Sequence, residues 1–420
     1  MTQLRTAALA VAAVLASVAM PACIGSSSSD ATIRIGAVYP MTGNQGGDGG
    51  QELAGLRMAA QLVNEDGGVR GRMVEIDAVD APSANEAAAA VDTVVGRGAR
   101  VVVGSYGSTI SLPASARASA AGVTYLETGA VADAVTGRGL PGVLRTVATG
   151  STLGRNAARF AHDTILPRLG LDPRTARTVI LFEGDDYGMA VGYGTIDESG
   201  LLGINVVDTV KYQAGSADFA QLAARVDADH PDLILTASYL EDGLAFQHAA
   251  IARHLTVRAI VGTSSAYCRT DFGAALGAEA VGLFASDKPS QDINPAGLLP
   301  EGRALLERVT TAWKAKYGYA MNAEAVAGFT GGWVLLHETL PRAASLDRAD
   351  VTAAAMSLDI PAGTEINGAG VRFAAADRPD AGQNLRAVGV IWEWMHANDL
   401  QVVFPPAYAK AQPVVVPIAA

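Results

Sequence analysis

From residue 31 onward the chain alternates short apolar runs with longer stretches of helical periodicity, and this alternation restricts the fold more than any other feature. Ile33-Arg34-Ile35-Gly36-Ala37-Val38-Tyr39 reads as a buried strand, followed by a glycine-rich loop over 43–50. Leu53, Leu56, Ala59, Ala60 and Val63 then recur at the spacing of one helix face. The helix is expected to stop at Asn64-Glu65-Asp66-Gly67-Gly68, where glycine accepts the left-handed backbone. Residues 74–79, 101–104 and 123–126 read as further strands, 84–95 and 111–121 as further helices. Strands separated by helices pair in parallel, with helices on both faces of a doubly wound α/β sheet.

The rhythm restarts after Gly150, with a helix over 153–169 and strands over 178–182, 205–210, 233–236 and 258–261. Beyond Pro361 the texture becomes glycine- and proline-rich, with strand-like runs at 388–394 and 400–404. The 420 residues exceed what one hydrophobic core usually supports, so two lobes are expected. No fixed-period repeat occurs, which argues against a solenoid. A formal net charge of −11 would repel phosphates and anionic lipid, so nucleic acid is not an expected partner.

The first residues point to export. Arg5 precedes an apolar or small-residue run over 6–20, shorter than the roughly 20 residues a membrane-spanning helix needs but suited to a signal peptide. The run ends in Met20-Pro21-Ala22-Cys23, which resembles a bacterial lipobox. A signal peptide over 1–22, lipidation at Cys23 and a flexible tether over 23–30 are therefore expected; the last contains the serine run 26–29. The alternative is ordinary cleavage near Ala22 and a free protein. The second cysteine, Cys268, could form a disulfide with Cys23. If Cys23 carries lipid, Cys268 is a lone thiol, expected to be packed rather than reactive.

Motifs for chemistry are missing. The loop over 43–50 lacks the G-x-G-x-x-G spacing of a dinucleotide site, and no Walker-type loop occurs. None of the six histidines forms H-E-x-x-H, and His248 and His254 are six apart, off a common helix face. Gly262-Thr263-Ser264-Ser265-Ala266 follows a strand like a nucleophile elbow but ends in Ala where the motif needs Gly. An enzyme, a cofactor and a metal are accordingly not expected.

Several landmarks, taken in order, resemble the type I periplasmic binding proteins, in particular receptors of ABC importers for branched-chain amino acids and amides. They are Ile35-Gly36-Ala37-Val38-Tyr39-Pro40-Met41-Thr42-Gly43, Val63-Asn64-Glu65-Asp66-Gly67-Gly68-Val69-Arg70-Gly71 and Val102-Val103-Gly104-Ser105-Tyr106-Gly107-Ser108-Thr109. Leu144-Arg145-Thr146 and Asp185-Asp186-Tyr187-Gly188 follow. The resemblance runs from about 33 to 404. It implies two Rossmann-like lobes joined by a three-strand hinge: lobe one over 31–150 and 286–345, lobe two over 151–285 and 346–420. It also implies a small-molecule solute held between the lobes, a permease and an ATPase as partners, and a monomer on a lipid anchor. The alternative is the sensor module of a signalling system, since one fold can serve both roles.

Ligands of open α/β sheets sit beyond the carboxyl ends of strands. Ser108 and Thr109 open a helix after such a strand, so their hydroxyls and free N–H groups suit an acidic group; capping by Ser108 is the plainer role. Glu127, Gly129 and Ala130 end the next strand. The resemblance places a small hydroxylic residue where Glu127 stands, and a carboxylate there could face a ligand ammonium or amide, or a partner inside lobe one. Tyr187 and Tyr239 match aromatics that close over the ligand; packing at a loop edge is the alternative. Family members that bind simple amino acids carry an acid at the position of Ser264. Glu127, Asp185, Asp186 or Glu241 would have to replace it, and amides, aromatic acids or short organic acids stay open as ligands.

Overall fold

A computed structural model describes residues 32–414; the signal peptide expected over 1–22, Cys23 and the tether expected over 23–30 lie outside the described residues. The first sheet holds β1 (Thr32–Tyr39), β2 (Met73–Asp80), β3 (Val101–Val103), β4 (Thr124–Glu127) and β5 (Val143–Arg145), all parallel, in the order β2-β1-β3-β4-β5. The second holds β6 (Thr178–Glu183), β7 (Val206–Tyr212), β8 (Leu233–Ala237), β9 (Ala259–Thr263), β10 (Phe284–Asp287), β11 (Val390–His396) and β12 (Asp399–Phe404). Its order is β12-β11-β10-β9-β8-β6-β7, parallel except for the antiparallel edge formed by β11 and β12. This is the expected α/β architecture of two doubly wound units.

Local chemistry sets the helix starts. Ser83, Thr149, Asp185, Asp218 and Asn322 each accept a first-turn backbone N–H with their side chains, satisfying donors that a helix end otherwise leaves unpaired. The first helix, Gly46–Glu65, begins inside the glycine run expected to be a loop. There the glycines serve packing: a Cβ on Gly49 would stand 2.0 Å from the carbonyl oxygen of Pro40, so only glycine lets the helix abut the turn after β1. The same device joins this helix to Ala323–Trp333, where a Cβ on Gly55 or Gly328 would meet the partner's backbone at 2.0 Å.

That contact brings the chain back to the first sheet after β10, and β11 returns it to the second. The backbone therefore passes between the layers three times, over 146–149, 288–299 and 384–389. The sequence division assigns 346–420 to lobe two. In the structure, helix Arg348–Met356 and the irregular segment after it rest on the first sheet. An Arg348 guanidinium N–H donates to Ser119 O at 2.9 Å, Arg145 pairs with Gln383 in a parallel bridge, and Gly382 packs on Val143. Side-chain bonds and single bridges hold this stretch, and they leave no periodic pattern in a sequence.

Candidate functional site

Strand order reverses between β1 and β3 in the first sheet and between β6 and β8 in the second. At such reversals neighbouring loops leave in opposite directions and open a crevice at the strands' carboxyl ends. Tyr106 and Gly107 lie in the loop after β3 and Ser108 opens the helix that follows; Tyr187 stands in the first turn of helix Asp186–Leu202 after β6, and Tyr239 precedes helix Leu240–Ala252 after β8. These groups face each other around a cavity of about 10 Å³, room for about one water, whose wall also includes Gly129, Ala130, Ser264 and Lys288. Of the expected site residues, Ser108, Gly129, Ala130, Tyr187, Tyr239 and Ser264 thus meet at one place, while Thr109 and Glu127 stand outside the wall.

Gly107 adopts φ 84° and caps helix Ser108–Ala120 without a side chain, leaving the first N–H groups of that helix free of a side-chain cap. The Ser108 hydroxyl accepts the Ala132 N–H at 3.1 Å, and the Ser108 N–H faces the Tyr239 hydroxyl across the cleft. Tyr239 is half-buried, and its ring lies 4.8 Å from that of the buried Tyr187. The Tyr187 hydroxyl lies 3.1 Å from Thr263 Oγ1 and accepts the Ser264 hydroxyl at 3.4 Å, which fixes the ring. A direct interlobe bond joins the Tyr106 hydroxyl to Ser265 Oγ at 3.1 Å. Admission of any solute larger than water requires these contacts to part.

Glu127 is fully buried and its carboxylate works within the first lobe. It accepts N–H groups of Ser105 at 3.0 Å and of Gly129 and Ala130 at 2.8 Å, with the Ser111 and Tyr125 hydroxyls on its second oxygen. Burial raises its pKa against the pull of these donors. The group thereby holds both cleft loops of the first lobe. Asp185 accepts the Gly188 N–H at 2.7 Å as a helix cap, and burial pushes it up to about 6. Glu183 accepts the Tyr239 N–H at 3.2 Å and is pushed up to about 8, by burial first and then by Asp185. Glu241 reaches Asn44 at 3.4 Å.

Sequence reasoning missed Lys288 and Tyr106 as wall residues. Lys288 follows β10, whose residues Phe284-Ala285-Ser286-Asp287 end in an acid, so no pattern in the sequence sets this lysine apart. A second interlobe space of about 830 Å³ lies beside the first, lined among others by Asp48, Arg269, Glu324, Met321, Trp392 and Trp394. Arg269 pairs with Asp48 across it, from the second lobe to the first. Burial and the neighbouring Glu324 push Asp48 up to about 7 against the pull of Arg269. Cys268 also borders this space; its thiol donates to Asp287 at 2.8 Å, and burial with that neighbour holds it well above the usual thiol range. Among the described residues no group of three or more histidines, cysteines or carboxylates is arranged for a metal, and no helix is long and apolar enough to cross a membrane.

The protein resembles known binding proteins over nearly its whole length. It is 28% identical to the Leu/Ile/Val-binding protein homolog 8 of Brucella abortus, over 91% of this chain and 93% of that protein. The leucine-binding protein LivK of Thermotoga maritima superposes with a TM-score of 0.74 at 22% identity, over 88% of this chain and 97% of that one. A solute-binding protein of an ABC transporter from R. palustris, solved with benzoate, gives 0.72 at 18% identity, over 92% and 99%. The sequence profile of the periplasmic binding protein family matches residues 32–391. With two reversed-order sheets facing across a cleft and that match over most of the chain, this protein belongs to the periplasmic binding protein family.

Proposed function

We propose that this chain is the extracytoplasmic solute-binding subunit of an ABC importer, and that it captures a small amino acid-, amide- or organic acid-like solute between its lobes. One observation carries the reading: residues from the reversal points of both sheets, Ser108, Gly129, Ala130, Tyr187, Tyr239 and Ser264, converge on a single interlobe cavity. The named relatives support it, one called a Leu/Ile/Val-binding protein and one solved with benzoate as part of an ABC transporter. No specific observation favours the sensing role. The moving bodies are proposed as 32–145 with 300–383 and 150–287 with 390–404, joined by the three crossing segments. Permease and ATPase subunits are the expected partners of a monomeric, solute-loaded form.

Native mass spectrometry of gently purified protein tests this reading. A non-covalent small molecule, released on unfolding and able to rebind, is expected; scattering with and without it then shows compaction as the hinge closes. A protein that retains nothing, binds no small organic solute and keeps one radius of gyration throughout overturns the reading. Lipidation at Cys23 is proposed separately. Intact-mass analysis of membrane-derived protein is expected to give a form beginning at Cys23 with acyl mass, and a different start without acyl mass contradicts it.

A further inference from the structure

We infer that Lys288 is the counter-ion of the solute, and that the solute is a carboxylic acid without an ammonium group. The inference rests on the solute-binding reading above and narrows its ligand class. Lys288 follows β10 at the start of the second crossing segment, 4% exposed, with its ammonium 3.4 Å from Gly129 O and 5.8 Å from the centre of the Tyr106 ring. It is the one charged side chain in the cavity wall; the other polar side chains there are hydroxyls of Tyr106, Ser108, Tyr187, Tyr239, Ser264 and Ser265.

The carboxylates close to Lys288 stand behind that wall. Asp287 accepts the Cys268 thiol, Glu52 accepts the Thr128 hydroxyl at 3.4 Å beneath Gly129, and Glu324 borders the larger interlobe space. They keep the ammonium charged without presenting an acid to the cavity. The acids that could replace the missing one at Ser264 are placed elsewhere. Glu127 is occupied by three backbone N–H groups, Asp185 caps a helix, Asp186 lies outside the wall and Glu241 reaches Asn44. A solute ammonium would therefore meet Lys288 and no carboxylate. A solute carboxylate would meet Lys288, the N-terminal N–H groups of helix Ser108–Ala120 and several hydroxyl donors. The rings of Tyr106, Tyr187 and Tyr239 supply flat apolar walls, which suit an aromatic or short aliphatic monocarboxylate.

The test is a matched panel, measured by thermal shift and then calorimetry on the full mature chain. Each aromatic or aliphatic skeleton is offered as the carboxylate, the primary amide, the amine and the α-amino acid; benzoate, benzamide, benzylamine and phenylalanine form one such set. Binding is expected from carboxylates alone. Lys288→Gln is expected to weaken the best carboxylate roughly ten-fold or more, and Lys288→Arg to restore most of it. Because a buried lysine also supports folding, the parent protein's selectivity is read independently of the variants. A tighter α-amino acid or amine, a carboxylate unaffected by Lys288→Gln in a folded variant, or a panel without a carboxylate hit at millimolar concentration each overturns the inference. The solute-binding reading falls separately, when no solute of any class is retained or bound.

Discussion

Glu127 shows how a single residue can be essential to a site without touching what the site holds. Its oxygens gather the N–H groups of Ser105, Gly129 and Ala130, so both cleft loops of the first lobe are fixed by one side chain. Glu127→Ala leaves those buried donors unpaired and is expected to cost about 3 kcal/mol of stability. Glu127→Gln should cost less, because the Ser111 and Tyr125 hydroxyls can turn to accept from the new amide. Urea midpoints decide this; a Glu127→Ala protein as stable as the parent but unable to bind would make the residue a ligand contact instead. A serine opening a helix after a strand reads as a cap, yet Gly107 takes the cap position and the Ser108 hydroxyl accepts the Ala132 N–H instead, a long-range contact that local pattern does not carry. Lys288 was not singled out, because its place in the cleft depends on where the chain crosses between lobes, and a lone lysine after a strand carries no periodic signal.

At the scale of elements, the alternation of strand and helix was readable because the central strands, buried on both faces, read as unbroken apolar runs, while each helix buries one face at helical period. What the period does not record is how two helices meet. Helices Gly46–Glu65 and Ala323–Trp333 touch through Gly55 and Gly328, and a Cβ at Gly328 would meet Glu52 O at 2.0 Å. Gly328→Ala must push the helices apart and is expected to destabilise by about 1–3 kcal/mol, while the same change at Gly47, with open space around it, should be nearly neutral. Equal urea midpoints for the two variants would contradict the packing account. The stretch after Arg348 was unreadable for the related reason that isolated bridges such as Arg145 to Gln383 hold it, not a repeating face. Arg145 itself is fully buried, donating to Gln383, Ala132 O and Thr136, and burial pushes it down to about 10. Arg145→Met strands these acceptors at the first crossing and is expected to lower stability by about 3 kcal/mol in thermal or urea unfolding. A folded Arg145→Met protein of parental stability would contradict that role.

At the scale of the whole molecule, several carboxyl groups among the described residues are buried, and they set its response to pH. Burial pushes Glu183 and Glu365 up to about 8, and Asp185 and Asp287 up to about 6. Between the ordinary carboxylate range and these values the folded chain binds more protons than the unfolded chain, so stability falls as pH rises through about 6 and then about 8. Asp66, Asp208, Asp380 and Glu338 are instead held low by their arginine or histidine partners and lose stabilisation only in stronger acid. The melting temperature is therefore expected to be higher near roughly pH 5 than near roughly pH 9; a flat or rising profile contradicts these shifts.

The described contacts between the lobes include the Tyr106–Ser265 hydroxyl bond, the Asn44–Glu241 bond and the Asp48–Arg269 ion pair, polar contacts suited to opening and closing. The most direct measurement of the central claim is a crystal structure of the protein with the solute it retains through purification. The account predicts that solute between Ser108 and Gly129 on one side and Tyr187 and Tyr239 on the other, with the Ser108–Tyr239 approach and the Tyr106–Ser265 bond opened to admit it. A solute found instead in the larger space beside Asp48, Arg269 and Trp392, with that small cavity still closed, would contradict it.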